Sequence, residues 1–113
     1  MRLEALKYLY DIQKAAGLLV EFVRGKTFSD YQRDAMLRAA VEREFEIIGE
    51  AMAKLARVDE TVVARICDYM RVIAFRNVLI HEYADVHDRL VWDVVDTNLP
   101  TLVRETNDLL KDI

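Results

Sequence analysis

Three glycines and one proline in 113 residues leave almost no material for turns. A chain so poor in direction-reversing residues must spend its length in a few long elements joined by short connections. Those elements read as helices. Apolar residues recur at three- and four-residue steps, and no alternating strand pattern bounded by turn signals occurs anywhere.

Four long segments follow from that spacing. The first covers about residues 2 to 23, through Leu3, Leu6, Leu9 or Tyr10, Gln13, Ala16 or Gly17, and Val20. It stops at R-G-K-T-F, where Gly25 supplies the positive-φ residue that a helix C-terminus favours. The second is expected to open on Ser29 or Asp30 as N-cap and to reach about Leu55. Its apolar stripe is Leu37, Val41, Phe45, Ile48, Met52 and Leu55, beside a carboxylate row of Glu42, Glu46 and Glu50 that reads as a solvated or salt-bridged face. Asp59 or Glu60 opens the third, which extends to about His81. The fourth begins near Asp85 or Asp88 and carries Trp92, Val95 and Leu99 as core residues. Pro100 then ends that helix, kinks it, or sits in the first turn of a continuation to Leu110. The expected fold is all-α: an up-down four-helix bundle with room for a fifth short C-terminal helix, in one domain spanning residues 1–113.

On a helical wheel the third segment shows two apolar faces. Val62, Ile66, Tyr69, Ile73 and Ile80 make one, and Val63, Met70, Ala74 and Val78 make another about 100° away. A helix at the edge of a monomeric bundle needs only one such face. The second predicts burial deep in the bundle or against another copy of the chain, and a homodimer built partly on this helix is the expectation.

Composition narrows the function. No apolar run approaches the ~20 residues of a membrane span, and M-R-L-E-A-L-K-Y-L-Y-D carries charges where a signal peptide needs an apolar stretch. A cytoplasmic protein without a membrane partner is expected. The lone Cys67 cannot form an internal disulfide, and beside Ile66 and Met70 it reads as a small core or interface residue. A net charge of −4 argues against broad capture of nucleic acid. The charge is uneven, with five basic and three acidic residues in 1–26 against four basic and eight acidic in 76–113. Any nucleic-acid contact therefore has to be local.

The stretch R-N-V-L-I-H-E-Y, residues 76 to 83, concentrates polar chemistry at the end of an apolar helix. Asn77 and His81 stack four residues apart, whereas Arg76 and His81 lie about 140° apart on an ideal helix. Imidazole titrates near neutrality and can take a proton from a ribose 2′-hydroxyl or return one to a leaving oxygen. A guanidinium can hold phosphate oxygens and offset charge on a phosphorane, and Asn77 can hold either partner in register. Structural roles account for the same residues. Arg76 can pair with Glu42 or Glu46, His81 can be a cation at a helix C-terminus, and Tyr83 can be a core residue. His87, in D-V-H-D, reads as a solvated residue near a helix start, with metal binding beside Asp85 or Asp88 as the alternative.

The wider pattern resembles a known family. F-R-N-V-L-I-H-E-Y, then A-D-V-H-D and V-W-D-V-V-D-T-N-L-P-T-L, is similar to the HepT toxins of the HEPN superfamily (higher eukaryotes and prokaryotes nucleotide-binding domains). The family motif R-x-x-x-x-H-x-Y is matched by Arg76, Asn77, His81 and Tyr83. Upstream, A-V-E-R-E-F-E-I-I-G-E-A resembles the family's second-helix signature and Y-L-Y-D-I its opening helix, so the likeness covers essentially the whole chain. The segment D-Y-M-R-V-I-A-F-R-N departs mildly, with Tyr69 and Ala74-Phe75 where many relatives carry a tryptophan and a glycine-methionine pair.

The resemblance implies an all-helical HEPN-like homodimer whose two motifs face each other in a shared cleft. It implies a metal-independent endoribonuclease, without a cofactor, cleaving RNA by 2′-hydroxyl attack. Arg76 and His81 would be catalytic, Asn77 an active-site polar residue, and Glu50 a candidate accessory residue near the cleft. The protein would be the toxin of a type VII-like toxin–antitoxin pair. Its partner, a minimal nucleotidyltransferase antitoxin, would silence it by AMP transfer to Tyr83. The alternative from the same resemblance is a non-catalytic, HEPN-like substrate- or nucleotide-binding partner of a nucleotidyltransferase. A purely structural interaction bundle is the third reading.

Overall fold

The computed structural model describes residues 1–82 and 86–112, and among them all regular structure is helical. The first helix, α1 (Leu3–Val23), ends as its sequence predicts, with Gly25 at φ 72° just beyond it. The second expected segment is two helices. A short α2 (Phe28–Arg33) precedes a long α3 (Ala35–Val58). The cap of α2 is Thr27, not Ser29 or Asp30. Its hydroxyl accepts from the Asp30 N–H at 3.2 Å, and its own N–H donates to the Asp30 carboxylate at 2.9 Å. Asp34 then interrupts the run with extended backbone and caps α3 by accepting from the Leu37 N–H at 3.1 Å, an interaction worth about 1 kcal/mol. Arg38 donates to the carbonyls of Tyr31 and Gln32, which are orphaned by the end of α2.

Along α3 the stripe Leu37, Val41, Phe45, Ile48, Met52 and Leu55 is buried as expected. The third expected segment is also interrupted. After α4 (Glu60–Val63), capped by Asp59, the chain turns through Ala64–Asp68 before α5 (Tyr69–His81) begins. Asp68 has φ 56°, a left-handed conformation that ends one helix phase and starts another. Cys67 lies in this turn and is exposed, so the core placement expected of it is corrected. Its N–H is held by both oxygens of the Glu105 carboxylate, at 3.0 and 3.2 Å.

The break changes what the two apolar faces mean. Val62, Val63 and Ile66, drawn from both faces, are all buried, because α4 and the turn carry them into the core. Within α5 only Leu79 is fully buried. Next come α6 (Asp88–Thr97) and α7 (Leu99–Lys111), and Pro100 takes the first-turn place that was one of its three options. Trp92 is a core residue, its ring 5.3 Å from that of Tyr31. The central α3 packs against α1 on one side and α5 on another, while α7 closes on α1 and α2 bridges α3 and α6. No helix of the described residues is long and apolar enough to cross a membrane.

The carboxylate row divides into two environments. Glu46 lies 3.6 Å from Arg43, and Glu50 lies 3.3 Å from Lys54, as expected of a salt-bridged face. Glu42 differs. Burial first, and then the charges of Asp88 and Glu46, push its carboxyl above the ordinary range. A raised carboxyl pKa favours the protonated folded state, so this contribution is present at low pH and is lost as pH rises through the folded value. Replacing Glu42 by Gln is therefore expected to raise the melting temperature at about pH 7 and to change it little at about pH 4. Equal shifts at both pH values in thermal melts would contradict the assignment.

Candidate active site

The site is built on α5, and its two sides follow from helical spacing. Val72, Phe75, Arg76 and Leu79, at steps of three and four, face α3 and are buried or half-buried. Phe75 meets Phe45 of α3 edge to face, with ring centroids 5.2 Å apart, a geometry worth about 0.5–1.5 kcal/mol beyond area burial. On the opposite side Met70, Ala74, Asn77 and His81 are all exposed. Met70 leaves 70% of its surface uncovered. The helix continues regularly through His81, where the Glu82 N–H donates to the Val78 carbonyl. Asn77 and His81 thus stack on one solvent face, while Arg76 stands on the flank against α3.

Arg76 is the unusual member. Only two arginines among the described residues are partly buried, Arg38 and Arg76. Arg38 spends its guanidinium on two carbonyls. Arg76 has no carboxylate within ion-pairing distance among the described residues, and its Nε is buried without a hydrogen-bond partner. The pairing with Glu42 or Glu46 that would have made it structural is not formed. Leaving a charged donor half-buried and unpartnered costs stability, which a purely structural arginine would avoid.

The remaining sequence candidates lie elsewhere. Glu50 is exposed and lines a small depression with Tyr8, Asp11 and Ile47, on the side of α3 that faces α1. His87 is the exposed residue preceding α6 and makes no side-chain cap bond. Tyr83, the residue singled out for modification, and Asp85 lie outside the described residues. Gly49, within G-E-A, is a residue that the sequence pattern alone does not single out. It is buried at the crossing of α3 and α5, directly against Arg76. A lone glycine in the interior of a strong helix was the available signal.

A larger cavity of about 530 Å³ opens along the other flank of α5, between Phe75 and Val78 on one wall and Leu90, Val94 and Leu102 on the other. Neither Arg76, Asn77 nor His81 lines it. The polar chemistry and this hollow are therefore separate features of the same helix.

Fold and site together define a small helical protein that presents, on one helix, a histidine, an asparagine and an arginine unpaired among the described residues. The family model described as "Ribonuclease HepT-like" matches residues 12–109, and the chain belongs to that family. It is 34% identical over 104 residues to the "Probable ribonuclease HepT" of Thermococcus cleftensis, covering 92% of this chain and 94% of the relative. It is 31% identical over 104 residues to a protein named "Putative RNase" from Caldanaerobacter subterraneus subsp. tengcongensis, covering 92% of each. A "Putative RNase" of Methanocaldococcus jannaschii is 28% identical over 106 residues, covering 94% of this chain and 87% of the relative. No solved structure gives a significant match.

Proposed function

We propose that this chain is a cytoplasmic, metal-independent endoribonuclease and the toxin of a type VII-like toxin–antitoxin pair. The observation that carries the reading is Arg76, half-buried and unpaired among the described residues, on the helix that also presents Asn77 and His81. Family membership and the names of the relatives support it. In this reading the His81 imidazole takes the proton of a ribose 2′-hydroxyl as that oxygen attacks the adjacent phosphorus. The bond to the 5′-oxygen breaks, that oxygen recovers a proton, and a 2′,3′-cyclic phosphate end remains. The Arg76 guanidinium holds the non-bridging oxygens and offsets the charge of the phosphorane, and Asn77 keeps the imidazole or the phosphate in register.

The functional unit is a homodimer. Within one chain Arg76 and His81 lie about 140° apart and ~7.5 Å along the axis. A second copy facing the first across Met70, Ala74, Asn77 and His81 brings two imidazoles and two guanidiniums to one cleft, so that one imidazole accepts the proton while the other donates it. The exposure of Met70 and Ala74 supports that placement. It also makes the cleft locally positive on an acidic body, which suits selective contact with RNA. Incubating purified protein with total RNA in the presence of a chelator tests the reading, with sedimentation at micromolar concentration beside it. Cleavage by a dimer is the expected result. Intact RNA would return the chain to the non-catalytic binding class, and a monomer that cleaves would remove the shared cleft.

Silencing by a minimal nucleotidyltransferase antitoxin is part of the same proposal. AMP transfer to the Tyr83 hydroxyl would add a phosphate and its negative charge two residues beyond His81 in the sequence. With ATP and the partner enzyme, the parent chain is expected to gain mass in AMP steps while the Tyr83→Phe variant gains none. A persisting shift on the variant would put the modification on another residue.

A further inference from the structure

We propose that Gly49 is the positioning residue for Arg76: its missing side chain lets α5 lie directly on α3, and this contact fixes where the guanidinium points. The proposal rests on the ribonuclease reading of Arg76 and adds a residue of α3 to it. The chain has two glycines within long helices, and they differ in kind. A Cβ built on Gly17 meets nothing within 4 Å. A Cβ built on Gly49 falls 2.2 Å from Arg76 Cβ, 2.7 Å from Arg76 Cγ and 3.3 Å from the Val72 carbonyl oxygen. Cβ and Cγ are tied closely to the α5 backbone, so no change of rotamer at the far end of the arginine relieves the clash. Any side chain at position 49 lifts α5 away from α3.

What the seat does follows from which part of Arg76 it covers. The stem lies against Gly49, and Nε beyond it is buried without a partner. With Nε covered, a phosphate can be engaged only through the terminal Nη1 and Nη2 edge, end-on. A guanidinium is planar and rigid, so clamping its stem fixes the plane and direction of that edge. His81 is exposed and lies about 140° around α5 from Arg76. Lifting the helix by about an ångström would take the arginine stem off its seat, whereas the exposed imidazole would travel with the helix and stay solvated, and displacements of that size can cost roughly 100-fold in rate.

The experiment is a double-mutant cycle read by single-turnover RNA cleavage, with full pH–rate profiles. Gly49→Ala is expected to slow cleavage roughly 100-fold in the parent and to add almost nothing in the Arg76→Ala background. Its pH profile should keep the parent's shape, because the imidazole remains on the exposed face of α5. The same loss in both backgrounds, or a displaced pH profile, would show that Gly49 acts through the fold or through His81 and would overturn the proposal. An Arg76→Ala variant that cleaves at the parent rate would instead defeat the ribonuclease role of Arg76, a separate result. The parent protein supplies a measurement that needs no variant. By NMR the Arg76 Nε–H should exchange slowly with solvent, and fast exchange there would remove the covered seat.

Discussion

Replacing His81 by alanine is expected to slow RNA cleavage by about 100- to 10,000-fold, the usual worth of a positioned general acid–base group. The fold should hardly register the change. His81 is exposed in the last turn of α5, so its largest structural contribution is the attraction of an imidazolium to the helix C-terminus, at most about 1 kcal/mol. Activity and stability should therefore separate, with circular dichroism and melting temperature near those of the parent. A variant that still cleaves at the parent rate would remove His81 from the chemistry. A variant that unfolds would mean that the helix end depends on the imidazole more than its exposure allows.

Arg76→Ala is the second large effect, and its argument runs through the cost of the parent arrangement. Removing a single preorganised donor to a developing oxyanion costs about 100- to 1,000-fold in rate, and Arg76 offers a full positive charge besides. Stability should move little and in no fixed proportion to that loss. The variant gives up the packing of an aliphatic stem against α3, but it also removes a buried Nε that has no hydrogen-bond partner. Arg76→Lys restores the charge and not the planar fork, so it should recover only part of the rate. Cleavage rates and thermal melts on the two variants check this. Parallel loss of rate and stability in both would make Arg76 a structural residue.

Much of the fold was legible because burial follows periodicity. The α3 stripe from Leu37 to Leu55 could be read directly, as could the C-terminus of α1 at Gly25. The two interruptions were not legible, and the reason is the same in both. Asp34 breaks its helix with a single residue and Asp68 closes a five-residue turn, and neither break carries the glycine or proline that usually announces one. Thr27 was passed over as a cap because Ser29 and Asp30 stand close by and the capping box needs Asp30 as its partner, not as its start. The site was legible to a different depth. Arg76, Asn77 and His81 came from a motif, whereas spacing alone favoured structural roles such as pairing of Arg76 with Glu42 or Glu46. Only the packing shows that this pairing is absent and that Gly49 is where the arginine rests.

The exposed Cys67 has a practical meaning beyond its place in the turn. It is the chain's single thiol, and it sits two residues before α5, with its backbone pinned by Glu105. A probe attached there reports from a fixed point at the root of the helix that carries the site, without any engineered cysteine. In a symmetric pair of chains it would yield one spin–spin distance, a direct ruler for how two α5 helices approach each other.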